Sequence, residues 1–347
     1  MKQSRLSSLL LIYTGGTIGM KQDPVTKALT PFDFSQIMEE VPEIGKYAFR
    51  TDYHAFDPLI DSSNIDPSLW QAIASLIEER YDDYDGFIIL HGTDTMAYSA
   101  SALSFMLEGL TKPVIFTGSQ LPVGAPRTDG KENLISAVEI ASATDELGHA
   151  IVPEVCIFFD SKLLRGNRST KVNAEMFDAF QSPNFPPLAE AGINIKYNSR
   201  LILKPRDWDS PVHAITDLDT SVSILKIHPG ITRQTVGDIL QGRNTRAVIL
   251  ETYGAGNAPT APWFLECVSR ACREGKVLVN VTQCLRGTVD MSLYATGKAL
   301  EEAGVVSGGD CTTESVLGKL FHLLGRCSDP EEIKSQMERN LRGEISK

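Results

Sequence analysis

Short apolar segments alternate along this chain with longer segments that have the apolar spacing of amphipathic helices. In the first half the apolar segments are rich in β-branched and aromatic residues, and Gly, Pro or Asp stands at their ends. They are residues 9–13, 87–90, 114–117 and 155–159. Strands that alternate with helices in this way are typical of a parallel sheet covered on both faces. The pattern therefore predicts an α/β fold.

Helices are predicted between these strands. Asp66 followed by Pro67 is a favourable N-cap and first-turn pair, and the helix that they begin is expected to run to about Arg80. One face of this helix carries its apolar residues, at positions 69, 70, 73, 76 and 77. Residues 95–108 and 132–142 are predicted to form further helices.

The second half repeats the alternation after a break in composition. Residues 182–213 contain five prolines, several charges and no sustained period, as expected of a linker or an excursion between domains. Beyond the break we predict strands at 222–227, 247–251 and 277–281, and helices at 232–241, 261–274, 293–303, 313–325 and 330–341. The predicted organisation is an N-terminal α/β domain with a parallel sheet at 1–190, a linker at 191–213 and a smaller α/β domain at 214–347.

The charge balance argues against two classes of partner. Lysine and arginine number 33 against 44 aspartate and glutamate residues, which gives a formal net charge of -11. A chain this acidic gains nothing from attraction to phosphate backbones or anionic lipids, so we expect no nucleic-acid or membrane binding. No apolar segment approaches the ~18 residues of a transmembrane helix, and the run at 9–12 is too short for a signal peptide.

The six cysteines have neither the spacing of a zinc site nor that of a redox motif. In a chain of this size without a signal peptide, we expect reduced thiols and a cytoplasmic location. No other metal-ligand spacing or cofactor motif is present in the sequence, so we expect neither a metal nor an organic cofactor.

A glycine turn follows the first predicted strand and reads Thr14-Gly15-Gly16-Thr17-Ile18-Gly19. The simplest interpretation is a tight turn that needs glycine conformations. A phosphate cradle is disfavoured, because the lysine of a P-loop and the spacing of a dinucleotide site are both absent. A third interpretation is a threonine nucleophile held beside backbone N–H groups.

A second threonine motif, His91-Gly92-Thr93-Asp94-Thr95, follows the strand at 87–90. Thr and Asp after a strand are good N-caps for the next helix, and Asp94 is also suited to hold a ligand's ammonium group. His91 ends a buried strand, which is typical of a histidine satisfied within the core. The absence of a G-x-S-x-G elbow from the sequence disfavours an ordinary serine hydrolase.

Two polar segments have ordinary interpretations when each is taken alone. The cluster at 61–64, Asp-Ser-Ser-Asn, is typical of a turn, although it also offers donors and acceptors for a carboxylate and an amine. The segment 165–171 ends in Lys171, and most lysines in such loops are solvated surface charges.

Taken together, the two threonine motifs resemble the paired signatures of bacterial-type L-asparaginases. They lie in the family's order and at its spacing, each after a strand. The resemblance extends over nearly the whole chain, through the segments 61–63, 117–120, 168–171, 253–257 and 282–284. The run from Asp85 to Tyr98 is similar to the cytoplasmic, type I branch.

The resemblance implies a catalytic group. Thr14 matches the family's nucleophile, which attacks the side-chain amide of L-asparagine, forms an acyl-enzyme and releases ammonia. Thr93, Asp94 and Lys171 match a second group that assists proton movement and water activation.

The resemblance also implies substrate contacts and an assembly. Asp61, Ser62 and Ser63 match the loop that binds the α-carboxylate, with Ser119 as a further contact. Thr93 and Asp94 also contact the substrate in this pattern, and Asp94 accepts from its α-ammonium group. Sites in this family lie near subunit contacts, so a homodimer or homotetramer is implied.

Two departures from the family pattern are visible. Members often carry a tyrosine after the first glycine turn, but residues 20–31 contain none, which leaves the group that takes the Thr14 proton open. Some cytoplasmic members bind a second asparagine as an activator through an arginine before the Ser/Thr-Tyr-Gly element. Here Glu251 stands before Thr252, with the opposite charge, so that regulation is not expected.

Two alternative functions remain open at this point. One is the amidase subunit of a tRNA-dependent amidotransferase, although that subunit usually has an extra domain ahead of the first motif and the acidic charge disfavours tRNA. The other is a non-catalytic amino-acid-binding protein, which is disfavoured by the presence of Thr14, Thr93 and Lys171.

Overall fold

The computed structural model describes residues 7–22, 29–31, 39–46 and 49–346. The chain divides into two compact units, Met1–Thr216 and Asp217–Lys347, and each is built on its own sheet. The two-domain α/β fold is therefore confirmed. Within the described residues, no helix is both long enough and apolar enough to cross a membrane.

The first unit contains fourteen described strands and three described α-helices. The strands are β1 Ser7–Tyr13, β2 Met20–Gln22, β3 Leu29–Pro31, β4 Phe49–Ala55, β5 Gly86–Leu90, β6 Leu107–Glu108, β7 Val114–Thr117, β8 Val155–Phe159, β9 Lys162–Arg165, β10 Thr170–Lys171, β11 Phe180–Gln181, β12 Ala189–Ala191, β13 Ile195–Tyr197 and β14 His213–Ala214. The helices are α1 Pro67–Glu79, α2 Met96–Met106 and α3 Gly130–Ser142.

Eight of these strands form the main sheet, in the order β13-β12-β9-β8-β7-β5-β1-β4. The five strands from β8 to β4 are parallel, as predicted. The other three are antiparallel additions at one edge, so the sheet is mixed. The reversal occurs at Asp160 and Ser161, which have φ of 46° and 63° and join β8 to β9. Two consecutive positive φ values suit the twist of a tight hairpin.

Burial explains why the central strands could be predicted from the sequence. Every residue of β5 is buried, as is every residue of β1 after Ser7. Strands covered on both faces are continuous apolar runs rather than alternating ones. Their core includes Leu11, Leu90 and Leu134, the last of which lies on α3.

The second unit has a four-stranded parallel sheet in chain order. Its strands are β15 Val222–Lys226, β16 Ala247–Thr252, β17 Val277–Thr282 and β18 Val306–Ser307. Its helices are α4 Arg233–Leu240, α5 Pro262–Arg273, α6 Ala295–Glu302, α7 Thr313–Arg326 and α8 Pro330–Met337. Helices α4, α5 and α6 contribute to the core on one face of the sheet, and α7 and α8 to the core on the other.

The segment 191–213, expected to be a linker, lies within the first unit. Strand β13 pairs with β12, and β14 pairs with β6. The Leu203 N–H also donates to the buried Glu154 carboxylate at 2.6 Å. Proline-rich composition suggested a linker, but these backbone and side-chain hydrogen bonds bind the segment to the sheet.

Candidate active site

The glycine turn after β1 packs closely against two neighbouring loops. Gly15 and Gly16 have φ of 128° and 94°, which L-residues with side chains rarely adopt. A Cβ on Gly15 would lie 2.3 Å from the Ile60 carbonyl oxygen, and one on Gly16 would lie 2.5 Å from the Gly92 nitrogen. The glycine pair therefore allows close approach of the loops that follow β4 and β5.

Thr14, immediately before these glycines, is fully buried. Its hydroxyl donates to the Leu90 carbonyl at 3.0 Å, and its peptide N–H donates to the same oxygen at 3.0 Å. The Ile60 N–H donates to the Thr14 carbonyl at 2.8 Å. These bonds fix the hydroxyl at the carboxyl end of β1. A peptide carbonyl is not a base, so Leu90 orients this hydroxyl but does not deprotonate it.

The loop at 61–64 contains a short 3-10 helix, Ser62–Asn64, that Asp61 caps. The Asp61 carboxylate accepts from the Ser63 hydroxyl at 2.7 Å and from its N–H at 2.8 Å, and these bonds lower the pKa of Asp61. Ser62 is buried, and its carbonyl accepts from the Thr95 hydroxyl at 2.7 Å. The loop is thereby joined to the second threonine motif.

Lys171 lies between the two central residues of that motif. Its ammonium donates to the Thr93 hydroxyl at 2.7 Å and to the Asp94 carboxylate at 2.7 Å. The Lys171 side chain is 18% exposed and that of Asp94 is 63% exposed. The lysine is thus largely enclosed, whereas the carboxylate remains open to a cationic ligand.

The loop after β7 adds Gln120, which was not among the predicted site residues. The Gln120 side-chain oxygen accepts from the Thr93 hydroxyl at 3.3 Å, and the Gln120 backbone N–H donates to the Asp129 carboxylate at 2.9 Å. Ser119 is buried and donates its hydroxyl to the Leu121 carbonyl. The signal for Gln120 was its place in the segment 117–120, which matches the family pattern, beside the predicted Ser119.

His91 is fully buried at the end of β5. One ring nitrogen, Nδ1, lies 2.7 Å from the Gly92 carbonyl oxygen, and Nε2 lies 2.9 Å from the Ser99 hydroxyl. Burial lowers the pKa of His91 to about 4, so the ring is neutral at physiological pH. These contacts agree with a histidine satisfied within the core.

The four residues predicted to be catalytic therefore fall into two groups, one on each side of Gly92 in the sequence. Thr93, Asp94 and Lys171 are bonded to one another. Thr14 belongs to the adjoining glycine turn, and in the described part of the chain its hydroxyl bonds to Leu90 rather than to that group. Part of the segment 20–31, in which the sequence has no tyrosine, lies outside the described residues.

Comparison with known proteins decides the family. The model of the asparaginase N-terminal domain matches residues 8–203, and that of the glutaminase/asparaginase C-terminal domain matches residues 221–337. L-asparaginase 1 of Escherichia coli strain K12 is 45% identical over 340 residues, which are 98% of this chain and 98% of that protein. The chain belongs to the asparaginase family.

Solved structures of other family members have the same fold. The crystal structure of L-asparaginase I from Vibrio cholerae superposes with a TM-score of 0.89 at 41% identity, covering 99% of this chain and 100% of that one. The thermostable L-asparaginase from Thermococcus kodakarensis gives a TM-score of 0.88 at 35% identity, covering 98% and 99%. The resemblance inferred from the two threonine motifs is thus confirmed.

Glu251, the second departure from the family pattern, has its own partners in the second unit. Its carboxylate accepts from the Thr313 hydroxyl at 2.9 Å and lies 3.7 Å from the Lys226 ammonium. The Glu251 side chain is 17% exposed. This family member therefore holds a largely enclosed negative charge at the end of β16.

Proposed function

We propose that this chain hydrolyses L-asparagine to L-aspartate and ammonia through an acyl-enzyme on Thr14. The observation that carries the proposal is the group formed by Lys171, Thr93 and Asp94, with both Lys171 contacts at 2.7 Å. Residues 77 and 78 positions apart meet there, at the carboxyl end of a parallel sheet where α/β proteins bind their ligands.

The substrate is an amino-acid zwitterion, so its site needs one anionic contact and one contact rich in donors. Asp94 supplies an exposed carboxylate for the α-ammonium group. The loop with Asp61, Ser62 and Ser63 is proposed to bind the α-carboxylate with the Ser62 hydroxyl as a donor, since the Ser63 hydroxyl and N–H donate to Asp61. Ser119 lies on a neighbouring loop. Thr93 is close enough to Asp94 in sequence to contact the same substrate.

In the proposed reaction, the Thr14 oxygen attacks the side-chain amide carbon of asparagine. The C–N bond breaks, and the proton from the Thr14 hydroxyl ends on the departing ammonia. Water then adds to the acyl carbon, the ester bond breaks, and a proton from water returns to Thr14. Thr93, Asp94 and Lys171 assist both proton movements, with charged Lys171 orienting its two partners.

The proposal includes a homodimeric or homotetrameric assembly in the cytoplasm, with L-asparagine as the small-molecule partner and neither nucleic acid nor membrane bound. The net charge of -11 supports the exclusion of tRNA and anionic lipid. Light scattering of the purified protein at several concentrations distinguishes a monomer from a dimer and a tetramer.

Ammonia release from L-asparagine by the purified chain tests the activity. L-glutamine and D-asparagine, each over a concentration series, serve as comparison substrates. Binding of asparagine without turnover would instead indicate an amino-acid-binding protein. Turnover that depended on ATP and an aminoacylated tRNA would indicate an amidotransferase subunit.

A further inference from the structure

A buried row of hydrogen bonds runs from helix α1 to the second threonine motif. The indole N–H of Trp70 donates to the Ser99 hydroxyl oxygen at 2.8 Å. That hydroxyl lies 2.9 Å from Nε2 of His91, and Nδ1 of His91 lies 2.7 Å from the Gly92 carbonyl oxygen. Ser99 and His91 are both fully buried.

The chemistry at the two ends fixes the direction of every bond in this row. An indole N–H donates and cannot accept, so the Ser99 oxygen accepts from Trp70. A carbonyl oxygen accepts and cannot donate, so the His91 proton must be on Nδ1. Nε2 is then the acceptor for Ser99. The neutral ring satisfies both bonds in this one tautomer.

Gly92, which accepts the last bond, is where three parts of the candidate site meet. A Cβ on Gly92 would lie 2.4 Å from the Ser62 hydroxyl oxygen. A Cβ on Gly16 would lie 2.5 Å from the Gly92 nitrogen. Gly92 is therefore packed between the substrate loop and the glycine turn, and a rotation of the peptide between Gly92 and Thr93 would move the Thr93 backbone relative to both.

We infer that His91 is a positioning residue for the proposed hydrolysis, protonated on Nδ1, which holds the Gly92 carbonyl and so orients Thr93 and Asp94 for catalysis. The inference rests on the proposed function for its catalytic consequence. It does not make His91 a base, because both ring nitrogens are already engaged in the core.

The competing explanation is that His91 only fills space beside Phe116, whose ring is 5.6 Å from the imidazole between centroids. Two variants separate the explanations. In His91→Asn, the amide N–H can replace Nδ1–H as the donor to Gly92. In His91→Gln, the side chain is closer in volume to histidine, but its amide reaches the Nε2 position instead.

We expect His91→Asn to retain most of kcat for L-asparagine, and His91→Gln to lose about ten- to hundredfold, because a buried carbonyl loses its donor. The loss should fall on kcat more than on KM, because the loop with Ser62 stays in place while Thr93, which assists the proton movements, is displaced. Trp70→Phe is the matched control: it removes the first donor of the row, leaves the Gly92 bond, and should change kcat less than about threefold. Equal or better activity of His91→Gln would overturn the positioning role.

Nitrogen-15 NMR of histidine in the wild-type protein tests the tautomer without any variant. A protonated Nδ1 and an unprotonated Nε2 are expected for His91. Its ring signals are assigned by their disappearance in His91→Asn or, if both variants fail to fold, by through-bond correlation. A protonated Nε2 would overturn the inference. If the wild-type chain releases no ammonia, the proposed function fails separately, and the nitrogen spectrum still decides the tautomer.

Discussion

The Thr14 hydroxyl and the Thr14 peptide N–H both donate to the carbonyl oxygen of Leu90, each at 3.0 Å. The residue proposed as nucleophile therefore joins the carboxyl ends of two neighbouring parallel strands, β1 and β5, by hydrogen bonds. Before the hydroxyl can transfer its proton it must leave this carbonyl, since a peptide oxygen accepts a hydrogen bond without taking the proton.

Thr14→Ala should abolish turnover of L-asparagine, by about 10³-fold or more, because no other group would form the acyl-enzyme. Binding of L-aspartate should change little, because the proposed contacts at Ser62 and Asp94 remain. Ammonia release and calorimetric titration with aspartate measure the two quantities. Near-normal turnover, or an acyl adduct trapped on Thr93, would show that the assignment of Thr14 is wrong.

Lys171→Met should lower kcat by about 10²-fold or more, because Asp94 loses its partner and Thr93 loses its donor. Lys171→Arg should recover little of this activity, since a planar guanidinium does not replace a compact ammonium. Lys162→Met, which removes an exposed lysine from β9 of the same unit, is the control. A wild-type kcat in Lys171→Met would show that this lysine is an ordinary surface charge and contradict the prediction.

His91 should make stability depend on pH below neutrality. Its pKa falls from 6.5 to about 4 on burial, so between these values the unfolded chain binds a proton that the folded chain does not. Stability therefore rises with pH across this window, and roughly 3 kcal/mol is lost as pH falls from 7 through 4. Urea unfolding at pH 7 and pH 4.5 measures this. The free energy of unfolding should change less between the two pH values in His91→Asn than in the wild-type chain. An equal change in both proteins would contradict the prediction.

The rate curve against L-asparagine should be close to hyperbolic. The carboxylate of Glu251, enclosed beside Thr313, would repel an activator's carboxylate at this position. Initial rates over a wide asparagine range, with Glu251→Gln for comparison, provide the measurement. A clear sigmoid curve in both proteins would mean that other residues provide a control site.

Activity should survive exhaustive treatment with a chelator. Within the described residues there is no group of three or more His, Cys, Asp and Glu side chains that could hold a metal ion. Ammonia release before and after dialysis against EDTA is the measurement. Loss of activity that a divalent ion restores would contradict the prediction.

In the first unit, the strands whose burial is complete were predicted from the sequence, and those at the edges of the sheet were missed. Strands β1 and β5 are continuous apolar runs, and their bounds were predicted to within two residues. Strand β4 was missed because it is a polar edge strand with alternating exposure, and its pairing with β1 is a tertiary contact. The antiparallel strands beyond β8 were missed because no apolar period marks them.

The candidate site divides in a similar way. Thr14 stands directly after β1 and Thr93 stands three residues after the end of β5, so strand prediction alone places them at one edge of the sheet. Lys171 carries no such local signal, and its approach to Asp94 depends on the short hairpin of β10 with β11. Gln120 was missed as a site residue because its role arises from a hydrogen bond to Thr93, which spacing cannot reveal.

The hydrogen bond from Leu203 to Glu154 has a practical consequence for dividing this chain into fragments. A fragment that ended at residue 190 would lack β13 and β14. It would also lack the Leu203 N–H, which donates a hydrogen bond to the buried Glu154 carboxylate. The Arg165 guanidinium, 2.6 Å from that carboxylate, would lose the Leu201 carbonyl as well. A separately expressed first unit should therefore extend to Thr216, where the first compact unit ends.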